Sequence, residues 1–219
     1  MLPIISIVGH SNVGKTTFLE RLIPELRSRG YRVGAVKHSH HGVDLDTPGT
    51  DSHRLAEVGA DPVALASSGR LWVAHALDQE LPPQAIADLF FTDVDLMLTE
   101  GYKRGSHPKI EVWRHGVSDA PLCQDWELVA RVGDVWPSST APHFNIDDVG
   151  GVAALIEERF LHQRKESLYI SVNDKPVVAE GFAQRVGGQT LMGLLSTLKG
   201  YTPDPSKVVV QWRKGDSGG

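Results

Sequence analysis

The run "IISIVGHSNVGKTTFLERLI", Ile4–Ile23, decides the fold. "IISIV" is short, apolar and β-rich, as a strand buried on both faces should be. "FLERLI" and the residues after it place Phe18, Leu19, Leu22, Ile23 and Leu26 at helical spacing, with charged residues on the other face. Between them "GHSNVGKT" meets the pattern Gly-x4-Gly-Lys-Ser/Thr through Gly9, Gly14, Lys15 and Thr16. A glycine loop that leaves a strand and opens a helix is a phosphate grip. Its glycines let backbone N–H groups surround an anion, and the helix N-terminus adds a favourable dipole. Lys15 supplies a cation to the terminal phosphates, and the Thr16 hydroxyl suits Mg²⁺. Gly9, His10, Ser11, Asn12, Val13, Gly14, Lys15, Thr16 and Thr17 are therefore candidate nucleotide contacts. Pro24 should kink the helix, and Gly30 should end it.

Outward from this run, strands and helices alternate: "YRVGAVKH", "DSHRLAEVGA", "PVALAS", "LWVAHAL", "PPQAIADLFF", "VDLMLTEG", "PKIEVWR", "WELVARV" and "NIDDVGGVAALIEERFL". That rhythm predicts an α/β domain over residues 1–162, with a mainly parallel sheet flanked by helices. Asp51 or Ser52 should cap the second helix, and Asn145 the last. Beyond the polar break "HQRKES" the rhythm changes. "LYISV" and "KPVVAEG" flank a hairpin turn at Asn173-Asp174, and a glycine-bearing helix and "KVVVQW" follow. Residues 166–214 thus read as a small ββαβ unit, an α+β extension of unknown role, and 215–219 as a disordered tail.

Mg²⁺ also needs an acid at the end of a neighbouring buried strand. "DTPG" offers Asp46, but the polar "HHGVDL" before it makes a poor buried strand. "LMLTEG" offers Glu100 at the carboxyl end of an apolar strand, where open α/β sheets bind ligands. Thr16 and Glu100 are the first metal candidates, with Asp46 approaching from its loop, and Lys15 and Glu100 are the candidate catalytic pair. Lys37 ends the second strand and Lys103 follows Glu100. Each meets an anionic ligand or stands solvated. His38, His40 and His41 form a cluster without a fixed zinc spacing. No Asn/Thr-Lys-x-Asp guanine motif is present: "NDKP" at Asn173 scrambles it and "NIDD" at Asn145 lacks the lysine.

Composition narrows the class. The chain of 219 residues carries a formal net charge of −5, which argues against nucleic acid as a partner. One cysteine, Cys123, and no secretory segment fit a reducing cytoplasm. The N-terminal apolar run is too short to span a membrane.

Together, "GHSNVGKTTFLERLI", "VGAVKHSHHGVDLDTPGTDSHRLAEVGAD", "VDLMLTEGYKRGSHPKIEV" and "FNIDDVGGVAALI" resemble the MobB family of molybdopterin-guanine dinucleotide biosynthesis adaptor proteins over residues 2–162. The resemblance implies a P-loop NTPase fold, GTP with Mg²⁺ as ligands, slow hydrolysis and a homodimer. It also implies assistance to the guanylyltransferase MobA, which joins GMP to molybdopterin, and it makes the His38–Asp51 loop a switch or cofactor-facing segment. The family often has lysine where this chain has Thr50. Slow turnover agrees with the absence of an arginine finger or water-positioning glutamine beside the loop. A metallochaperone GTPase that carries nickel or zinc on the histidine cluster is the alternative reading.

Overall fold

The computed structural model describes residues 2–39 and 47–161, together with 170–172, 175–177, 181–201, 208 and 210. The chain divides into two compact units, Leu2–Leu161 and one that runs from His162 to Gly219.

In the first unit a six-stranded sheet has the order β2-β5-β1-β6-β7-β8. Its strands are β1 (Ile4–Val8), β2 (Val33–Lys37), β5 (Leu96–Glu100), β6 (Lys109–Trp113), β7 (Leu128–Gly133) and β8 (His143–Phe144). Every pairing in it is parallel. All six carboxyl ends therefore lie along one edge. The mainly parallel α/β fold expected from the sequence is the fold observed. The short β8 was not among the expected strands. Two residues carry no periodicity to read.

Helices lie on both faces. Helix α1 (Lys15–Ser28) buries Phe18, Leu19, Leu22 and Leu26. Helix α4 (Val149–Ile156) adds Val152, Ala153 and Ile156 to the same core, and its axis continues through wider turns over Glu157–Leu161. Ile5, Ile7, Leu98, Ile110 and Val112 of the sheet complete that core. Each such side chain removed from water contributes about 1.5–3 kcal/mol. On the opposite face α3 (Pro83–Phe90) sets Ala87 against Ile4 and Met97. There Gly34 has no alternative, since a Cβ would stand 2.1 Å from the Phe91 ring.

The helix α1 runs through Pro24 without ending there. Pro24 and Glu20 face solvent, so water can serve the Glu20 carbonyl that loses its helical donor. Two expected caps differ from those observed. Thr50, not Asp51 or Ser52, caps α2 (Asp51–Glu57), its hydroxyl accepting from the His53 N–H at 3.3 Å. Asp148, not Asn145, caps α4 by accepting from the Gly151 N–H at 2.9 Å. Asn145 accepts from the Asp147 N–H instead, and so shapes the turn before the helix.

The strands β3 (Val63–Ala66) and β4 (Leu71–Ala74) stand outside the main sheet as an antiparallel hairpin. Their apolar side chains Leu65, Leu71, Trp72 and Val73 are all more than half exposed.

Beneath β6 and β7 the second sheet face is polar. Glu111 and Arg131 are almost completely buried and pair at 3.2 Å. Arg131 also reaches Asp125 at 3.1 Å, and Lys109 pairs with Glu127 at 2.8 Å. Glu111 accepts further from the backbone N–H of Leu122 and of Cys123. The alternation Lys109-Ile110-Glu111-Val112 looks like a half-solvated strand. Here the long loops over this face exclude water, and ion pairing satisfies the charges.

In the second unit β9 (Ile170–Val172) and β10 (Lys175–Val177) pair antiparallel, with Val172 opposite Lys175, and α5 (Gly181–Leu195) follows. The expected strand "KVVVQW" falls mostly outside the described residues, and the tail 215–219 wholly so.

Candidate functional site

The phosphate loop takes its shape from glycines at positions that need them. Gly9 has φ 146°, and a Cβ there would sit 2.3 Å from the Val112 carbonyl oxygen of β6. The loop can thus press against the sheet only without a side chain. Asn12 (φ 64°) and Gly14 (φ 98°) turn the chain through the left-handed region. Val13 is fully buried and anchors the loop from below. Gly14 leads α1 with no side-chain cap, so no side chain competes for the N–H groups of the first turn. Lys15 folds back over the loop and donates to the His10 carbonyl at 2.7 Å. Ser11, Asn12, Thr16 and Thr17 are exposed around it.

Opposite Thr16 stands Glu100. The parallel register sets Ile7 of β1 beside Glu100 of β5, and Lys37 of β2 beside Glu100 on the other side. The Thr16 hydroxyl donates to Glu100 Oε2 at 2.8 Å, across 84 residues of chain. Lys37 Nζ lies 3.8 Å from Glu100 Oε1. Below this pair the Thr99 hydroxyl donates to Ser6 at 3.0 Å in the dry interior, which ties β5 to β1. A hydroxyl and a carboxylate that converge beside a phosphate loop form a donor set suited to a hard divalent cation.

Partial burial pushes the Lys15 ammonium below its ordinary value, Glu100 opposes the shift, and Lys37 and Lys103 add to it. Three cations therefore share one field at the loop, the pattern expected where an anion is to be held. Of the sequence candidates the structure brings together Gly9–Thr17, Lys37, Glu100 and Lys103. Asp46, His40 and His41 lie outside the described residues. Among the described residues no group of three or more histidine, cysteine or acidic side chains converges as a metal site.

His38 takes a different place from the rest of its cluster. Its ring stacks on Tyr102 with centroids 4.3 Å apart, and Nε2 meets Glu80 at 2.7 Å. Gly101 and Tyr102 both have positive φ, and this turn carries Tyr102 over His38. Burial raises the Tyr102 phenol above its usual value, and Glu80 adds to the rise. Glu80 was missed by sequence reading. It sits in an aperiodic segment, and nothing in "LDQELPP" marks it.

Thr50 is the α2 cap, its hydroxyl accepting from the His53 N–H.

Comparison with known proteins supplies the family. The family model described as "MobB: Molybdopterin guanine dinucleotide synthesis protein B" matches residues 4–134. The molybdopterin-guanine dinucleotide biosynthesis adapter protein of Escherichia coli is 37% identical over 167 residues, 72% of this chain and 93% of that protein. The corresponding Haemophilus influenzae protein is 39% identical over 137 residues, 62% of this chain and 76% of its own length. Bacillus subtilis MobB superposes with a TM-score of 0.57 at 26% identity, over 73% of this chain and 98% of that structure. A crystal structure of molybdopterin-guanine biosynthesis protein B gives a TM-score of 0.56 at 28% identity, over 71% and 98%. On the family match and these relatives, the chain belongs to the MobB family of molybdopterin guanine dinucleotide synthesis proteins.

Proposed function

We propose that this protein is a GTP-binding accessory protein of molybdopterin-guanine dinucleotide synthesis, a slow Mg²⁺-dependent GTPase that assists a guanylyltransferase of the MobA kind in the cytoplasm. The observation that carries the reading is the convergence of an uncapped phosphate loop, Lys15, and the Thr16–Glu100 pair at one edge of a parallel sheet. Gly9–Thr17 would wrap the phosphates, Lys15 would leave the His10 carbonyl for a phosphate oxygen, and Lys37 and Lys103 would neutralise further anionic charge. Thr16 and Glu100 would hold Mg²⁺, which when bound offsets charge on the phosphates, with Asp46 as a further ligand from its loop. Lys15 and Glu100 are the residues on which hydrolysis would depend.

The hairpin β3–β4 supports a homodimer. Two strands with apolar side chains on the surface and open edges favour a like partner, and a second copy of the chain supplies one. The alternative of nickel or zinc delivery has no comparable support, since His38 is engaged with Tyr102 and Glu80.

Isothermal titration with GTP–Mg²⁺ and ATP–Mg²⁺ tests the nucleotide, and a pull-down of MobA with and without GTP–Mg²⁺ tests the partner. GTP should bind more tightly than ATP, Lys15→Ala should abolish that binding, and MobA retention should depend on nucleotide. A protein that binds neither nucleotide, or ATP more tightly, would overturn the assignment.

A further inference from the structure

Nothing in the phosphate loop reads a base, and the chain lacks the usual guanine motif. We propose that the base is read at the carboxyl ends of β6 and β7, where the Asp134 carboxylate selects guanine and the Trp136 ring flanks the base. The inference rests on the nucleotide reading above and adds the specificity determinant to it.

The placement follows from the topology. The phosphates are fixed at the end of β1, so the nucleoside must run to one side along the sheet edge. Toward β5 and β2 that edge is taken by Glu100, Lys37 and the His38–Tyr102 stack. Toward β6 and β7 it carries aromatic rings and a carboxylate. With strands about 4.8 Å apart, β7 lies two spacings from β1, roughly 10 Å. That span matches the reach from the phosphates of a nucleotide to its base.

The local structure is built, not incidental. Gly133 has φ 115°, and a Cβ there would lie 2.1 Å from the Trp113 carbonyl oxygen. Glycine alone lets the two strand ends close, and the Asp134 N–H then donates to that same carbonyl at 3.1 Å. Asp134 Oδ2 accepts from the His115 N–H at 2.8 Å, which orients the carboxylate. Its other oxygen has no hydrogen-bond partner among the described residues, and Asp134 is exposed. Trp136 stands edge-on to Trp113 with centroids 5.1 Å apart, and His115 flanks Trp113 at 6.2 Å.

These groups match guanine. Its N1–H and 2-amino group are two adjacent donors, which a fixed carboxylate accepts. Adenine presents no donor at N1 and no 2-amino group. Xanthine replaces the 2-amino group with a carbonyl that repels the carboxylate.

Titration of wild type and Asp134→Asn with GTP, XTP and ATP, each with Mg²⁺, tests the proposal. Wild type should prefer GTP over XTP and ATP by about 100-fold, the scale of two hydrogen bonds to a charged acceptor. Asp134→Asn should lose affinity for GTP and gain it for XTP, because the amide N–H₂ now meets the xanthine carbonyl. A gain for one base cannot come from misfolding, and the Asn oxygen still accepts from His115. If Asp134→Asn binds GTP as wild type does while Lys15→Ala does not, the base is read elsewhere and only this inference fails. Loss of GTP with no gain of XTP also rejects it. Failure of wild type to bind any of the three rejects the nucleotide reading itself.

Discussion

"LMLTE" and "LWVA" are both apolar strands of this chain, and they end in opposite surroundings. Leu96, Met97 and Leu98 of β5 are buried between neighbours on both sides and helices on both faces. Leu71, Trp72 and Val73 of β4 pair only with β3, and their side chains stay in water. The difference is not in hydrophobicity but in what each strand is given to pack on. A parallel strand in the middle of the sheet finds its partners within the chain. A hairpin outside the sheet exposes the same residue types, and in the proposed dimer a second copy would cover them. Apolar composition alone therefore does not report whether a strand is buried, and topology decides it.

Truncation tests that contrast most directly. Leu98→Ala should destabilise the fold by about 3–5 kcal/mol, since it opens a cavity that the sheet cannot close. Leu71→Ala should change monomer stability by no more than about 0.5 kcal/mol. It should instead shift the proposed dimer, read by sedimentation velocity at micromolar protein, toward monomer. Equal losses of stability in the two variants, measured by chemical denaturation, would break the comparison.

The polar face under β6 and β7 sharpens it from another direction. Arg131→Met leaves Glu111 buried without its cation and should cost about 3–5 kcal/mol. The double variant Arg131→Met with Glu111→Leu should recover much of that loss, because the penalty lies in the uncompensated charge. At the rim of this network Asp125 accepts first from the Thr140 N–H, then from the Ser139 and Thr140 hydroxyls and from Arg131, and its carboxyl is held well below the usual range. A depressed carboxyl stabilises the fold in full above its unfolded value of about 4 and loses that contribution as pH falls through the folded value. Stability should thus decline below about pH 4 in wild type, and Asp125→Asn should flatten the decline. An acid limb unchanged by that substitution, followed by circular dichroism, contradicts the assignment.

Much of this architecture is legible in the sequence, and for reasons that differ by element. The phosphate loop is readable because its glycines, Lys15 and Thr16 have to be contiguous. Glu100 is readable because a buried strand must end somewhere, and an acid at its carboxyl end stands out against "LML". The destination of β3 and β4 is not readable, since a strand's partner is set by the rest of the chain. Nor is the Glu111–Arg131 pair, because alternation predicts a wet face and only the overlying loops dry it. Glu80 and the Thr50 cap depend on irregular backbone, which leaves no period. Asp46, His40 and His41 lie outside the described residues, so the switch role expected of that segment rests on the family resemblance alone.

The smallest expected effect separates the two regions most finely. Helix α2 precedes the hairpin and buries none of its residues, whereas α4 buries Val152, Ala153 and Ile156. Both helices are capped by a side chain, Thr50 in one and Asp148 in the other. Removing either cap with alanine should cost about 1 kcal/mol. Where that cost appears should differ. In α4 packing couples the helix to the core, so Asp148→Ala should lower the global unfolding free energy. In α2 the cap is the principal restraint, so Thr50→Ala should leave global unfolding unchanged. It should speed amide exchange over residues 51–57 by about fivefold, the rate equivalent of 1 kcal/mol when opening is local. Exchange that rises across the whole sheet in Thr50→Ala would mean that α2 and the hairpin share the stability of the core.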